Sequence, residues 1–402
     1  MVCLLNYADR QAISSIFPVL ERDLGFGKAQ IGLIGGAFMW IYAICSPFAG
    51  MAGDFMGRKG RKGLIVAGCL FWSLMTGWTG GCSRLWQFLS VRSLVGLGES
   101  LYFPSATSLI SSWHRRGTHS TALSLHQSAV YFGTILGGWL GALLAELLGW
   151  RMMFWCFAAA GAVLSLGALL FLRTPDDSEC GEVPPRCGKE SSVRGMACWR
   201  RMISSPHLLC LMGAFVMANG VSSIFLIWAP TYLLERFHLG LVAAGTTAVV
   251  WIQISSALSA PVSGWIADRL SSVLPGARIA VQGAGLIAGA LCVFLLGRAE
   301  GLTGVILCMV CFGSCKGFYD GGIFASLFDH VPESQRATSA GIMNFVGWGG
   351  GALGPVLLGF AAQGVGTDRM AVAISWSAVA YLAGALLLGG AFWMAGKRNE
   401  NS

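Results

Sequence analysis

The chain has 402 residues, of which 55% are hydrophobic and only 11% charged. A soluble domain carries about 25% charged residues because it must cover a water-facing surface, so this composition excludes an ordinary soluble enzyme or scaffold protein. The net charge of +8 is compatible with nucleic-acid binding, but the distribution of that charge, considered below, argues against such a partner. The composition instead indicates a protein that lies in a lipid bilayer.

Apolar runs, separated by charged or Gly/Pro-rich turns, predict twelve membrane-spanning helices. About 20 apolar residues cross the hydrocarbon core of a bilayer, and the runs are too long and too numerous for buried core helices. The predicted spans cover residues 1–21, 29–53, 63–82, 85–111, 121–146, 150–172, 207–234, 242–268, 278–297, 302–329, 336–362 and 369–395. The first span is expected to be short, since only five residues precede Asn6, or else to begin upstream of Met1.

The longest polar stretch divides these spans into six and six. Residues 173–206 contain several acidic and basic residues together with Pro184 and Pro185, and their apolar content is too low to form a core. We predict an N-terminal six-helix bundle at 1–172, a flexible cytoplasmic linker at 173–206, and a C-terminal six-helix bundle at 207–402.

Lysine and arginine residues accumulate on one side of the predicted spans. The basic run from Gly57 to Lys62, the linker and the C-terminal Lys397 and Arg398 all fall on that side. Because cytoplasmic loops carry the excess of basic residues, both termini and the linker are predicted to be cytoplasmic. The basic run then belongs to a cytoplasmic loop of a multi-pass plasma-membrane protein, and no nucleic-acid partner is expected.

Metal, cofactor and enzyme chemistry are not predicted. Most of the 13 cysteines lie inside apolar runs, where cysteine behaves as a small hydrophobic residue. Cys308 and Cys311 have the CxxC spacing of a metal site, but a second pair that would complete tetrahedral coordination is missing. Hydrolase motifs such as HExxH or GxSxG do not occur. A channel or a transport-like sensor is the remaining alternative to a transporter.

The two predicted halves repeat one another. Residues 46–54, at the end of the second span, match residues 260–268, at the end of the eighth. Pro47, Gly50 and Asp54 recur as Pro261, Gly264 and Asp268 at a constant offset of 214 residues, and Gly133 and Gly137 recur as Gly350 and Gly354 at an offset of 217. Such repeats are typical of transporters that bind solute near the bilayer midplane between two halves.

Two motifs resemble the major facilitator superfamily. Gly50-Met-Ala-Gly-Asp-Phe-Met-Gly-Arg-Lys59 is similar to the family's signature between the second and third spans, and residues 92–98 are similar to its second motif. The resemblance implies a gate at the cytoplasmic end of the helices. Together with the repeat, it predicts the gating residues Gly50, Asp54, Gly57, Arg58, Lys59, Asp268 and Arg269. Phe55 stands where the family usually has arginine, which predicts a weaker gate contact.

A second pair of motifs resembles one branch of that superfamily. Residues 6–10 (Asn-Tyr-Ala-Asp-Arg) and 98–104 (Gly-Glu-Ser-Leu-Tyr-Phe-Pro) are similar to the anion:cation symporter family, and partly to the Spinster-like lipid transporters. The resemblance implies proton-coupled symport of a small organic anion, such as a sugar acid or another carboxylate, by alternating access. It also implies that Asp9 and Glu99 carry the coupled proton and that Arg10 binds the anion. The alternatives are lysolipid or lipid transport, and transport of a drug or neutral solute.

Six charged residues are predicted to lie at membrane depth, where charges are costly and mark functional sites by default: Asp9, Arg10, Arg92, Glu99, Lys316 and Asp320. Protonation of Asp9 or Glu99 would free a neighbouring arginine to bind a carboxylate or phosphate, and desolvation favours the protonated form of a carboxyl group. The predicted proton-coupling residues are Asp9, Glu99 and Asp320, with H⁺ as coupling ion. The predicted substrate-binding residues are Arg10, Arg92, Tyr7, Lys316, Tyr319 and Asn344.

Structural roles remain open for the same residues. Asp9 and Arg10 could cap a short first helix, Arg92 could hold helix-end carbonyls, and Glu99 could serve helix packing. Lys316 and Asp320 are four residues apart and can satisfy each other on one helix. The sequence leaves the solute, the direction of transport and Na⁺ in place of H⁺ undecided, and it predicts a monomer.

Overall fold

A computed structural model describes residues 1–115, 117–173, 189–274, 276–361 and 367–400, and within these ranges all regular structure is helical. The elements are α1 (Val2–Ser15), α2 (Phe17–Leu24), α3 (Lys28–Thr79), α4 (Leu85–Trp113), α5 (His119–Leu148), α6 (Trp150–Phe171), α7 (Lys189–Ser204), α8 (Pro206–Phe237), α9 (Leu241–Leu270), α10 (Ala277–Leu296), α11 (Leu302–Asp320), α12 (Ile323–Phe328), a short 3₁₀ turn (Glu333–Gln335), α13 (Arg336–Ala361), α14 (Thr367–Trp376) and α15 (Ala378–Glu400).

Among the described residues, eight helices have the length and apolar content to cross a bilayer. Trp150–Phe171 and Ala277–Leu296 are examples that match predicted spans within one residue. The predicted first span divides into α1 and α2, and the predicted last span divides into α14 and α15. The chain is thus an all-α, multi-pass membrane protein, as its apolar runs predicted.

The second and third predicted spans are two helical stretches of α3 that meet at a sharp break at Gly57. The basic run that begins at Gly57 was predicted to be a loop, but the residues on both sides of Gly57 are helical. Gly57 alone departs from helical geometry there, with φ of 67° and ψ of −166°. Glycine has no Cβ and adopts positive φ at little cost, so a single residue bends α3 where a whole loop was expected.

The predicted linker is partly helical. Residues 174–188 lie outside the described residues, while Lys189–Ser204 forms α7. Two apolar side chains of α7, Cys198 and Met202, are almost completely buried, and the Cys198 thiol contacts the Gln335 carbonyl oxygen at 3.8 Å. Burial against the rest of the chain thus stabilises a helix that composition alone did not predict.

The chain forms two compact units. Unit 1 comprises residues 1–113, 129–200 and 331–345, and unit 2 comprises residues 114–128, 201–330 and 346–402. Unit 1 therefore includes the beginning of α13 and unit 2 the beginning of α5. We call residues 331–345 the α13 segment and residues 114–128 the α5 segment. The predicted division into bundles at 1–172 and 207–402 stays a prediction.

Glycines bring α1 and α5 together within unit 1. A Cβ on Gly137 would overlap the backbone of Ala8, and one on Gly141 would lie 2.9 Å from Ala12 Cα. In unit 2, a Cβ on Gly354 would in the same way lie 2.8 Å from the Gly220 carbonyl carbon on α8. These glycines therefore allow close helix approach, and in unit 1 this approach fixes the part of α1 that carries Asp9 and Arg10.

Candidate functional site

A buried ion pair joins α1 to α4. The Arg10 guanidinium donates to Glu99 Oε2 from Nη2 at 2.6 Å and from Nε at 3.2 Å. The side chain of Arg10 is 10% exposed and that of Glu99 is fully buried. Charges at membrane depth are tolerated when they are paired. Two predicted site residues that are 89 positions apart in sequence are therefore in direct contact.

Three aromatic rings surround the guanidinium of this pair. The Arg10 Cζ atom lies 4.5 Å from the Tyr7 ring centroid, 4.6 Å from that of Phe38 and 4.7 Å from that of Tyr42. These distances are in the range of cation–π contacts, which strengthen when the groups are desolvated. α3 reaches this position because Gly96 on α4 has no side chain: a Cβ there would lie 2.7 Å from the Phe38 carbonyl oxygen.

Arg92 shares the Phe38 ring but has a different environment. Its Cζ atom lies 4.8 Å from the Phe38 centroid, and the residue is only 4% exposed. Within the described part of the chain, Arg92 Nε has no hydrogen-bond partner, and the ion pair to Glu99 is made by Arg10. A buried guanidinium with an unused donor is suited to bind an anion.

Asp9 is held separately from the neighbouring arginine. The Thr76 hydroxyl donates to Asp9 Oδ2 at 2.7 Å, and Asp9 is 3% exposed. Its other oxygen, Oδ1, is buried without a hydrogen-bond partner in the described residues. Burial at such a position costs a protonated carboxyl group less free energy than it costs a carboxylate. Unit 1 thus contains two buried carboxyl groups, Asp9 and Glu99, with distinct partners.

The predicted charged residues of unit 2 pair with each other. Lys316 Nζ and Asp320 Oδ2 form an ion pair one turn apart on α11, with side chains that are 14% and 13% exposed. Tyr319, between them in sequence, is completely buried. Its hydroxyl oxygen has no hydrogen-bond partner among the described residues. This arrangement satisfies both charges, as one of the open interpretations expected, and offers a polar hydroxyl beside them.

In the middle of α3, just before the bend at Gly57, Asp54 caps α13. Its carboxylate accepts the backbone N–H of Ala337 at 3.1 Å and that of Thr338 at 2.7 Å. The first N–H groups of a helix have no partner within it, and the helix dipole attracts negative charge there. Gly50, one turn earlier, lets the backbones meet, because a Cβ there would lie 2.8 Å from Thr338 Cα. The α13 segment is thereby attached to α3.

Four basic residues follow Asp54, and three of them have different environments. Arg58 donates to Glu333 Oε1 from Nη2 at 2.8 Å, whereas Lys59 is exposed. Arg61, which the sequence reading did not select, donates to Asp54 Oδ1 at 2.8 Å and to the Glu333 carbonyl oxygen at 3.2 Å. A signal existed in the sequence: phenylalanine at 55 leaves the Asp54 carboxylate in need of another cation, and Arg61 is close along the chain.

The same construction recurs in unit 2. Asp268 accepts the backbone N–H groups of Ser120 at 3.0 Å and of Thr121 at 2.8 Å, at the start of α5. Its cation is Arg278, at 3.0 Å. The predicted gate residue Arg269 instead lies over the Trp265 ring, 5.3 Å from its centroid.

The offset of this second cap reproduces the sequence repeat. The capped amides at 120 and 121 correspond to those at 337 and 338 with an offset of 217 residues, the offset of the paired glycines, and Arg61 corresponds to Arg278 with the same offset. Arg278 also donates to Asp329 Oδ1 at 2.6 Å. Each half of the sequence thus contributes an aspartate, an arginine and a capped helix.

Asn344 connects the α13 segment to the buried charged residues of unit 1, Asp9, Arg10, Arg92 and Glu99, which we call the charge cluster. Its amide nitrogen donates to the Tyr42 hydroxyl at 3.2 Å and to Ser46 Oγ at 3.4 Å. Asn344 was predicted to bind substrate, and the structure places it behind Tyr42, whose ring contacts Arg10. It is 4% exposed, so its two donor hydrogens are used inside unit 1.

The helices, the buried ion pairs and the two capped helix ends define a polytopic helical membrane protein with charged groups in its interior. The chain belongs to the Major Facilitator Superfamily, whose family model matches residues 1–355. It is therefore a transporter by family and not an enzyme, as predicted.

Known proteins similar to this chain cover most of its length. The sodium-dependent phosphate transport protein 1 of Arabidopsis thaliana, chloroplastic, is 27% identical over 90% of this chain and 72% of its own. The hexuronate transporter of Bacillus subtilis is 24% identical over 90% of this chain and 86% of its own. The human organic anion transporter MFSD10 superposes with a TM-score of 0.75 at 17% identity, over 96% of this chain and 97% of that one; this likeness shows the fold.

Proposed function

We propose that this chain is a secondary active transporter that moves a small organic anion, of the sugar-acid or carboxylate type, by alternating access with proton symport. The observation that carries the proposal is Arg92: a buried guanidinium whose Nε has no hydrogen-bond partner among the described residues. It lies on the same aromatic ring as Arg10. A carboxylate would supply the hydrogen bonds and the charge that this position lacks.

The relatives support an anion as the substrate. The names of two of them specify phosphate and hexuronate, which share negative charge and oxygen acceptors. Guanidinium groups bind both kinds of oxyanion through paired N–H donors. A carboxylate with neighbouring hydroxyl groups also suits the tyrosines around Arg10. We therefore favour a sugar acid over a lipid or a neutral solute.

The buried carboxyl groups provide a route for coupling to protons. When Glu99 is ionised, it holds Arg10 in the ion pair that the structure contains. Protonation of Glu99 removes that charge, so that Arg10 becomes available to an anion together with Arg92. Asp9 is the second candidate proton acceptor, since its Oδ1 is buried without a partner in the described residues. One relative is named a sodium-dependent phosphate transport protein, so Na⁺ is the alternative coupling ion.

The two caps are the proposed gates. Asp54 holds the α13 segment within unit 1, and Asp268 holds the α5 segment within unit 2. A cap of this kind contributes about 1 kcal/mol, so its release is within reach of substrate and proton binding. Because basic residues lie beside each cap, we assign each capped helix end to the cytoplasmic side. The protein is then a plasma-membrane protein with cytoplasmic termini. The protein is proposed to act as a monomer.

Reconstitution into proteoliposomes tests the function. We would measure uptake of radiolabelled hexuronates, aldonates and dicarboxylates with an inward proton gradient, an inward sodium gradient or neither. Proton-driven accumulation that Glu99→Gln abolishes, while exchange of internal for external anion survives, supports proton-coupled symport. Glu146, which is exposed on α5, provides the matched control Glu146→Gln, and this variant should accumulate substrate as wild type does.

Each alternative has its own result. Accumulation driven by sodium alone replaces H⁺ with Na⁺ and keeps the anion. Absence of anion uptake under every gradient overturns the substrate class and directs the assay to lysolipids and neutral solutes.

A further inference from the structure

We propose that the hydrogen bond from Asn344 to the Tyr42 hydroxyl is a latch, and that it couples occupancy of the Arg10 site to release of the α13 segment. The inference rests on the proposed transport function. It gives Tyr42 and Asn344 a positioning role: they transmit binding at Arg10 to the gate.

Beyond the contacts of Glu333 with Arg58 and Arg61, the helical part of the α13 segment is attached to α3 at three levels. At its first turn Asp54 caps the Ala337 and Thr338 amides. One turn further, the backbones touch, and a Cβ on Gly341 would lie 2.9 Å from Pro47 Cα. At the third level Asn344 donates to Tyr42, and this is the contact that reaches the charge cluster.

Tyr42 contacts both Arg10 and the α13 segment. Its ring centroid lies 4.7 Å from Arg10 Cζ, and it stacks on the Phe38 ring with centroids 5.8 Å apart. Its hydroxyl accepts the Asn344 amide at 3.2 Å on the side of the α13 segment. A shift of Arg10 from Glu99 toward an anion removes the cation that holds the Tyr42 ring in place, so the hydroxyl and its hydrogen bond move with it.

The chemistry of the latch suits a reversible switch. Tyr42 and Asn344 are 1% and 4% exposed, so breaking their hydrogen bond inside the protein leaves buried polar groups unsatisfied. An anion with hydroxyl groups bound at Arg10 supplies a new partner for the Tyr42 hydroxyl. Release then requires a ligand, whereas a hydrogen bond to water would let the segment open at any time and dissipate the gradient.

Hydrogen–deuterium exchange of the peptide 331–345 in the full-length protein measures the latch directly, since the Ala337 and Thr338 amides become exchangeable when the segment leaves α3. The Tyr42→Phe variant keeps the aromatic ring under Arg10 and removes the hydroxyl. Without ligand, we expect it to exchange roughly five-fold faster in this peptide than wild type, the size of one lost neutral hydrogen bond. In wild type, a hexuronate at acidic pH should accelerate exchange, and in Tyr42→Phe it should add little.

The matched control is Tyr232→Phe in unit 2. Tyr232 is 1% exposed, and its hydroxyl has no hydrogen-bond partner among the described residues, so this variant should leave exchange of 331–345 unchanged. Ser46→Ala removes the longer of the two Asn344 contacts and should have a smaller effect than Tyr42→Phe.

Two results overturn the latch. One is that, without ligand, peptide 331–345 exchanges at the same rate in Tyr42→Phe as in wild type. The other is wild-type exchange that is insensitive to an anion which the same preparation takes up. Failure of the transport proposal is separate: if proteoliposomes take up no anion while Tyr42→Phe still accelerates exchange, the substrate class is wrong and the hydrogen bond still restrains the α13 segment.

Discussion

The Arg61 guanidinium donates to Asp54 Oδ1 at 2.8 Å across the bend at Gly57. The carboxylate thus accepts from one cation and from two helix amides, although phenylalanine occupies the next position, 55. Arg61 also donates to the Gly53 carbonyl oxygen at 3.2 Å. The bend in α3 is what lets a residue seven positions later reach back to this carboxylate.

Arg61→Ala is therefore expected to impair transport about as strongly as Asp54→Asn. In a double-mutant cycle on proton-driven uptake, the two substitutions should be non-additive, with a coupling of about 1–3 kcal/mol typical of residues in one network. Lys59→Ala removes a charge from an exposed position on the same run and should impair transport less than either substitution. Additive effects of Arg61 and Asp54 substitutions would show that the contact has no role in the gate.

The sequence predicted what depends on local pattern. Apolar run length located the membrane helices, and the 214-residue offset paired Asp54 with Asp268, both of which cap helices in the structure. The partners of these aspartates depend on how far a side chain reaches across a bend or a turn. For that reason Arg61 and Arg278 were missed and Arg269 was selected.

Burial explains other differences between prediction and structure. α7 carries few apolar residues, and its helix is stabilised by Cys198 and Met202 packed against the rest of the chain. Asn344 was grouped with substrate-binding residues because of its polarity, but its distance from Tyr42 could not be read from the sequence. The pairing of Glu99 with Arg10 rather than with Arg92 depends in the same way on the approach of α1 to α4.

Substitutions at the second cap distinguish the structural partner from the predicted one. Asp268→Asn removes the charge that accepts two backbone amides and the Arg278 guanidinium. We expect it to lower thermal stability by about 1–2 kcal/mol, as the loss of a charged cap does. Arg269→Ala affects a side chain that lies over Trp265 and should change stability little. Thermal unfolding in detergent measures both, and a larger loss from Arg269→Ala would contradict the observed pairing.

Two adjacent glycines of α5 should respond oppositely to alanine. A Cβ on Gly137 would collide with the Ala8 backbone of α1, whereas one on Gly138 would meet only Gln11 Cγ, at 3.7 Å. Gly137→Ala should displace α1 and reduce both folded yield and transport, because the site residues Asp9 and Arg10 sit on α1. Gly138→Ala should be tolerated, because 3.7 Å is an ordinary van der Waals distance. Size-exclusion yield and substrate uptake, measured in parallel, test this; equal tolerance of both substitutions would exclude tight α1–α5 packing.

Removal of the charge from Arg10 and from Arg92 should have different effects on stability. Arg10→Met leaves Glu99 buried without its ion-pair partner, and breaking a buried pair in this way costs about 3–5 kcal/mol. Arg92→Met removes a buried guanidinium whose Nε has no partner in the described residues, so the melting temperature should stay the same or rise. Both variants should lose anion uptake, because both remove a predicted ligand. Thermal unfolding in detergent at neutral pH, with and without a hexuronate, separates the two effects: ligand should stabilise wild type and neither variant. A melting temperature that falls equally in Arg10→Met and Arg92→Met would mean that Arg92 is a structural residue, and the anion site would then have to be sought elsewhere in the protein.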